Sequence, residues 1–585
     1  MRWVFIFAAL LVCSTLAIAP GMSLEIGLGH ISQSIDEDTR PLDGDTLRMI
    51  GPRGGHATGV IIAAGRGPAA VQARLGRGGL VHSEDDSQNI TRQVQVLYGS
   101  LTTDFARNPS TDAQSSFHDA LIPRSEGTTA VQSLYVHIPI PRDSTPGLYR
   151  GTIDVRGRGG SAEIPIELYV SAMQLPPPQE RRTWVDMLQS PDSVAYRYGV
   201  TLYSRQHLER LRPSMEMMAN LGQQAMHVTA IAQTNFGNDE AMLAIGPRGI
   251  DFSGLEAYMN LFNETIGAPR FIIVYVYDGG SNDGVPQWTP PGGRRNGSTP
   301  ALAASYGAEH RPIWQAAMEG LKQRAEQAGW EDTEILLGWI GDARPFGDYL
   351  ECFTEVAPFA RWVQFTHARG DPDERGDSDS ISMLGMEVAY RIVPYSQHSI
   401  SRGGGSGRGG WDNSFLQVSS MRGTNNQDTD LKFWLSQIPH AVQDGGSAHA
   451  TSANFRGIGR IGMDFWQVQR PDGSSGRLLK RFSRWGNLQR DTAPALTAVG
   501  PEGALPTSRY LALWQGIQET EARILTEIGE SGAASPENLS RQELSRIREQ
   551  WWALRKVDEL PPDLDAEHQA LKQLYDAAAA VQAAQ

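Results

Sequence analysis

The chain has 585 residues, with 66 acidic against 52 basic side chains and a formal net charge of −14. That balance argues against a nucleic-acid partner, because neutralising phosphates needs a basic face. With 40% hydrophobic and 20% charged residues, the chain can bury real cores, and at ~150 residues per domain its length suggests about four domains, or fewer if one is a large barrel.

Arg2 precedes an apolar run from Val4 to Ala19, interrupted only by Ser14 and Thr15. This is a short charged region followed by a hydrophobic stretch too short for a comfortable membrane span, so residues 1–23 are read as a signal peptide or N-terminal anchor. The expected location is outside the cytoplasm: periplasmic, cell-surface or secreted. No later segment approaches the length of a membrane span. Cys13 lies in the leader, which leaves Cys352 alone in the remaining chain. An internal disulfide framework or a cysteine-based zinc site is therefore not expected.

Residues 24–178 read as a β-sandwich. Val94–Tyr98, Ser133–Ile138, Thr152–Val155 and Ile164–Val170 are short β-branched or aromatic runs separated by turn residues. Pro176-Pro177-Pro178 then reads as a stiff linker. From there the pattern changes to alternating strands and helices over 179–475. Trp184–Leu188, His227–Ile231, Phe271–Val276 and Ile335–Ile340 are the first four strand candidates; the last two are continuous apolar runs, the mark of strands buried on both faces. Between them, Ser204 is a helix cap followed by Leu208, Leu211, Met215, Met218 and Leu221 at helical spacing, with Gly222 as the stop. Leu255–Phe262 is a second helix, and Trp314, Met318, Leu321 and Ala325 form the face of a third. Trp362–Thr366, Glu387–Ile392, Phe415–Val418 and Ile458–Met463 complete a set of eight strands. Eight such units predict a (β/α)8 TIM-like barrel. Gly403–Gly410 is low-complexity and reads as a flexible barrel loop, since no GK[ST] follows it as a phosphate loop requires. Residues 476–585 read as a small C-terminal region, with a strand at Ala495–Val499 and helices at Arg509–Glu527, Arg541–Val557 and Glu567–Ala583.

Several stretches in this order resemble glycoside hydrolase family 123. They are His118–Pro123, Pro146–Thr152, Gly199 to Leu211, Ile250–Leu255, Gly341–Pro345, Gly457–Arg460 with Trp466, and Pro506–Tyr510 running into Gly516-Ile517-Gln518. The resemblance implies an N-terminal β-sandwich, a (β/α)8 barrel and a small C-terminal β region. It also implies exo-acting β-N-acetylgalactosaminidase chemistry, in which the sugar's own acetamido oxygen attacks C1, an exception to the two-carboxylate scheme. In that family an Asp-Glu pair follows the fourth strand; the Asp orients the acetamido group and the Glu is the general acid. Here Asp342 stands at the Asp position but Ala343 follows it. A methyl group cannot protonate a leaving oxygen, and general-acid help is worth about 10²–10⁴-fold. Near strand seven the family's Tyr is replaced within Phe415-Leu416-Gln417, and in the eighth strand an aromatic and an Asn of the family pattern are replaced by Met463 and Asp464.

In this architecture, polar residues just past strand C-termini face the active-site mouth. Strand-end position motivates Asp278, Asp342 and Asp464, while the resemblance implies Arg460, Trp466 and the catalytic role of Asp342; the expected site is Asp342 as the catalytic residue, with Asp278, Arg344, Arg460, Asp464 and Trp466 binding substrate. Asp278 and Asp464 are the first carboxylates to replace the missing Glu. Asp186 sits near the first strand's end, where a helix cap or an ion pair with an arginine is the stronger reading. Arg344 has an equal alternative in a pair with Asp348. Trp288 and Trp339 are further stacking candidates, with core packing favoured for Trp339; His367 reads as a structural histidine. No metal site and no cofactor are expected. The sequence thus leaves two readings: a glycoside hydrolase with a relocated acid, or a non-catalytic carbohydrate-binding or scaffold protein on the same fold.

Overall fold

The computed structural model describes residues 23–585 apart from 34, 69, 107–113, 235–236, 247–248, 279–286, 289–301, 304, 341–346, 366–380, 384–385, 395–415, 421–456, 471–472, 474, 477, 479–494 and 555–562. The Gly403–Gly410 stretch and the leader read at Val4–Ala19 lie outside the described residues.

Two sheets form the N-terminal part. One has the spatial order Glu25–Gly29, His56–Ala64, Val131–Pro139, Gln95–Ala106, Gln114–Ile122. The other runs Leu47–Arg53, Gly160–Gln174, Gly147–Gly157, Val71–Leu75. They share a core in which Ile61, Leu134, Val136 and Ile138 of the first sheet meet Met49, Ile153, Ile166 and Leu168 of the second. The first sheet is apolar on its other face too: Val60, Ile62 and Tyr135 belong to the main core of the molecule. Its strands therefore bury both parities of side chain, as a sheet covered on both faces must.

Among the described residues the second part has eight parallel strands: β1 (Trp184–Leu188), β2 (Ala225–Thr229), β3 (Phe271–Asp278), β4 (Glu334–Ile340), β5 (Arg361–Phe365), β6 (Met386–Pro394), β7 (Leu416–Ser420) and β8 (Gly457–Gly462). Their hydrogen-bonded order is β1-β8-β7-β6-β5-β4-β3-β2, which is the cyclic order of an eight-stranded barrel. Phe271–Val276 and Ile335–Ile340, read as buried strands, pair directly. The second strand begins and ends two residues earlier than expected, because Gln223 and Ala225 already engage the sheet while the chain turns away after Thr229.

No backbone ladder joins β1 to β2 among the described residues, and no closed barrel is found there. Side chains bridge that seam instead. The Gln223 amide accepts from Met187 N at 2.9 Å and donates to Met187 O at 3.0 Å, as a neighbouring strand's peptide would. It also donates to Ala225 O at 2.6 Å.

Helices α1 (Pro191–Tyr198), α2 (Arg205–Leu221), α3 (Ser253–Thr265), α4 (Arg311–Gln327) and α5 (Asp348–Val356) lie between the strands. α2 starts at the predicted cap, where Ser204 accepts from His207 N, and stops at Gly222 in the left-handed region with φ 90°. α1 is an addition to the sequence reading; Ser190 caps it and Pro191 occupies its first turn. The C-terminal region is α6 (Ser508–Ser531), α7 (Arg541–Ala553) and α8 (Leu564–Ala583), and only Ala498–Val499 of the expected strand is formed, paired with Ala504–Leu505. α8 packs on the Gly160–Gln174 strand of the sandwich, so this region covers the N-terminal sheets. No helix among the described residues is long and apolar enough to cross a membrane.

Candidate functional site

Strand alternation decides which side chains point into the array. Along β1, Trp184 and Leu188 share an inner cluster with Ala225 of β2, Phe271, Ile273 and Tyr275 of β3, Leu336 of β4 and Val363 of β5. Asp186, in phase with Trp184 and Leu188, is fully buried. Its carboxylate Oδ1 lies 2.7 Å from His227 Nε2 on β2. His227 Nδ1 lies 2.8 Å from the Tyr275 hydroxyl on β3. The imidazole and phenol rings stack nearly parallel, 8° apart with centroids at 5.7 Å. Gly338 on β4 makes room for that phenol, since a Cβ there would come within 2.6 Å of Tyr275 Cδ1.

Arg460 occurs on β8 beside this line. Asp186 pairs with Gly459 and Met187 with Ile461, so Arg460 is the extra residue at the bulge between them; its side chain is outside those described. On the other flank, Asp278 ends β3, three residues beyond Tyr275 and opposite Ile340 of β4. It is 4% exposed. Its charge adds to burial and to Tyr349 in pushing the Tyr277 phenol up to about 12.

The other expected site residues divide. Asp342, Ala343 and Arg344 lie outside the described residues, immediately after β4, as does His367 after β5; the side chain of Trp288 is likewise not described. Asp464 is fully buried beneath α1 and α2, where Oδ1 accepts from Ser190 N at 2.6 Å and Oδ2 from the Ser214 hydroxyl at 2.8 Å. Burial, opposed by those hydrogen bonds, raises its carboxyl to about 6. Trp466 is 4% exposed, donates from its indole N–H to Thr497 O at 2.9 Å and meets Tyr198 edge-on. The indole is thus packed into the main core rather than laid open as a platform for a sugar ring. Trp339 is fully buried against Trp362, as the core reading of it anticipated.

In the sequence His227 reads only as the start of a strand, and Asp186 is weighed toward a structural role. The available signal was a lone histidine in phase with inward residues of a buried strand. Its partner is 41 positions away, beyond any local motif.

Residues 188–384 match the family model described as glycoside hydrolase 123, catalytic domain. No curated protein matches the chain in sequence. Among solved structures, a family 123 glycoside hydrolase from Clostridium perfringens, described in the context of glycolipid glycan hydrolysis, is 13% identical with a TM-score of 0.62; the match covers 96% of this chain and 98% of that one. Domains 4 and 5 of the S-layer protein SbsC are 10% identical at a TM-score of 0.12, covering 22% of this chain and 49% of that one. The GspB Siglec domain is 12% identical at 0.15, covering 33% and 71%. Scores that low carry no weight for the fold. Residues 188–384 thus carry the glycoside hydrolase 123 catalytic-domain match, within a chain whose fold over nearly its whole length resembles that of a family 123 glycoside hydrolase.

Proposed function

We propose that the chain is an exported glycoside hydrolase-like protein that acts on or binds N-acetylated or related glycans at the C-terminal mouth of the strand array. The carrying observation is the family match, which spans β4 and the segment after it. In that segment Asp342 stands at the position of the family's acetamido-orienting Asp, and Ala343 where its acid would be. The finer reading of the fold, a (β/α)8 barrel, is supported by the cyclic strand order and by the Gln223 and Asp186–His227 links across the seam. Arg344, Arg460 and Asp278 complete the proposed mouth. Asp464 and Trp466 support its wall from the buried positions described above.

Asp342 would hold the substrate's acetamido group against C1. With Ala343 beside it, protonation of the leaving oxygen lacks its usual donor, so unactivated substrates should turn over weakly if at all. The test compares wild type with Ala343→Glu on an aryl N-acetylgalactosaminide and on an unactivated one. The substitution should raise hydrolysis of the unactivated substrate by about 10²-fold or more and change the aryl substrate far less, because a good leaving group needs little protonation. Robust wild-type hydrolysis of the unactivated substrate, unaffected by Asp342→Asn, would defeat this reading.

Ala343 also favours a second reading, a carbohydrate-binding protein without catalysis. Its signature is binding of N-acetylgalactosamine in calorimetry with no turnover of either substrate. Export rests on the Val4–Ala19 run, and fractionation of cells making the full chain tests it; recovery wholly in the cytosol would refute it.

A further inference from the structure

We infer that Asp186, His227 and Tyr275 are positioning residues of the mouth, a hydrogen-bonded line across β1, β2 and β3 that holds Arg460 and Asp278 in place for a bound sugar. The inference rests on the glycan reading above.

Three observations support it. First, the line crosses the step where the strand array lacks a backbone ladder among the described residues, so side chains set the relation of β1 to β2 there. Second, both contacts are short, 2.7 Å and 2.8 Å, and the rings stack at 8°, so neither the imidazole nor the phenol can rotate without losing a bond. Gly338 leaves space for the phenol where a Cβ would obstruct it. Third, each end of the line adjoins a residue of the proposed mouth. Arg460 occupies the β8 bulge opposite the Asp186–Met187 step, and Asp278 closes β3 beyond Tyr275.

The line also has a defined proton order. An ionised Asp186 accepts from His227 Nε2–H, which fixes the neutral tautomer and turns Nδ1 into the acceptor for the Tyr275 hydroxyl. Asp186 from β1 and Tyr275 from β3 are titratable groups bonded to His227. Arg460 of β8 is the charged residue that the register brings beside Asp186.

The experiment is side-chain NMR of the full chain carrying ¹⁵N-labelled histidine, at pH 8, with His227→Gln to assign the ring. Tyr275→Phe and Asp186→Asn are the test variants, and circular dichroism checks that each folds. Wild-type His227 should be the Nε2–H tautomer. Tyr275→Phe should shift the Nδ1 resonance without changing the tautomer, and Asp186→Asn should remove the tautomer preference. In calorimetry with N-acetylgalactosamine, both variants should bind roughly three- to tenfold more weakly, the scale of one net hydrogen bond. An Nδ1–H tautomer in the wild type, or a ring indifferent to both substitutions, would overturn the line itself. The expected resonances with unchanged sugar affinity in both variants would overturn the positioning role. The expected resonances in a wild type that binds no sugar would sink the glycan reading, and the positioning role with it, while leaving the line as a bond across the seam.

Discussion

Asp464, expected at the mouth, lies instead beneath two helices. Its place after β8 suggested a mouth residue, but the turn directs the carboxylate beneath α1 and α2, onto Ser190 N and the Ser214 hydroxyl. Two hydrogen bonds do not repay the loss of water, so the carboxyl rises to about 6. The consequence for stability has a definite sign. An unfolded aspartate titrates near about 4, so between that pH and the folded value the folded chain keeps a proton that the unfolded chain has released. Stability therefore falls as pH rises through this window and levels off above it. Asp464→Asn keeps the shape and removes the titration; its amide oxygen still accepts from Ser190, and its NH2 group donates to the Ser214 oxygen. The stability of this variant relative to wild type should rise by about 2–3 kcal/mol between pH 4 and 6.5, on the order of two pKa units. Urea unfolding at a series of pH values measures it, and a flat difference would show that the carboxyl is not perturbed.

At the scale of elements, the seam between β1 and β2 is held by a glutamine. Gln223 is fully buried and satisfies both Met187 N and Met187 O. Gln223→Leu leaves those two groups unpaired, at about 1–3 kcal/mol each. Hydrogen exchange at Met187 should speed up sharply, and urea unfolding should show a loss of roughly 2–5 kcal/mol. An unchanged exchange rate would mean that another group closes the seam. Nothing local in the sequence marks Gln223 as a strand substitute; it follows a helix stop and reads as loop. The legible elements were those whose burial writes a pattern, such as the continuous apolar run Phe271–Val276 and the Ser204-to-Gly222 helix with its cap and stop. The strand His56–Ala64 went unread because its glycine and alanines resemble turn composition, although it feeds two cores by alternation: Ile61 and Ala63 into the sandwich, Val60 and Ile62 into the main core. The Asp186–His227–Tyr275 line was invisible for a related reason, since each residue alone has an ordinary structural reading and only the strand order brings them together. The order of the parallel strands could be read, but the contact between β1 and β2 could not, because among the described residues it is made by side chains such as these.

At the scale of the whole molecule, α6 ties the parts together. Arg509 is 1% exposed and binds both carboxylate oxygens of Asp119 on the sandwich strand Gln114–Ile122, through Nε at 3.1 Å to Oδ1 and Nη2 at 2.8 Å to Oδ2; Ser508 donates to the same carboxylate at 3.0 Å. Further along the helix, the Gln518 amide accepts from His56 N and donates to His56 O of the sandwich strand His56–Ala64. Glu521 then accepts from Thr183 N at the threshold of β1. Two of the stretches that carried the family resemblance, His118–Pro123 and Pro506–Tyr510, are thus the two halves of one junction, joined also by an isolated bridge from Ala120 to Thr507. Their role is architectural. Because the main core takes residues from the sandwich, the strand array and α6 alike, the two parts should unfold as one unit. Arg509→Met leaves Asp119 buried without its partner, a change that typically costs about 3–5 kcal/mol. If the junction couples the parts, calorimetry of the wild type should show one transition, and the substitution should move it down intact. Two wild-type transitions, with Arg509→Met moving only one of them, would show that the sandwich and the strand array are separate cooperative units and that α6 merely rests between them.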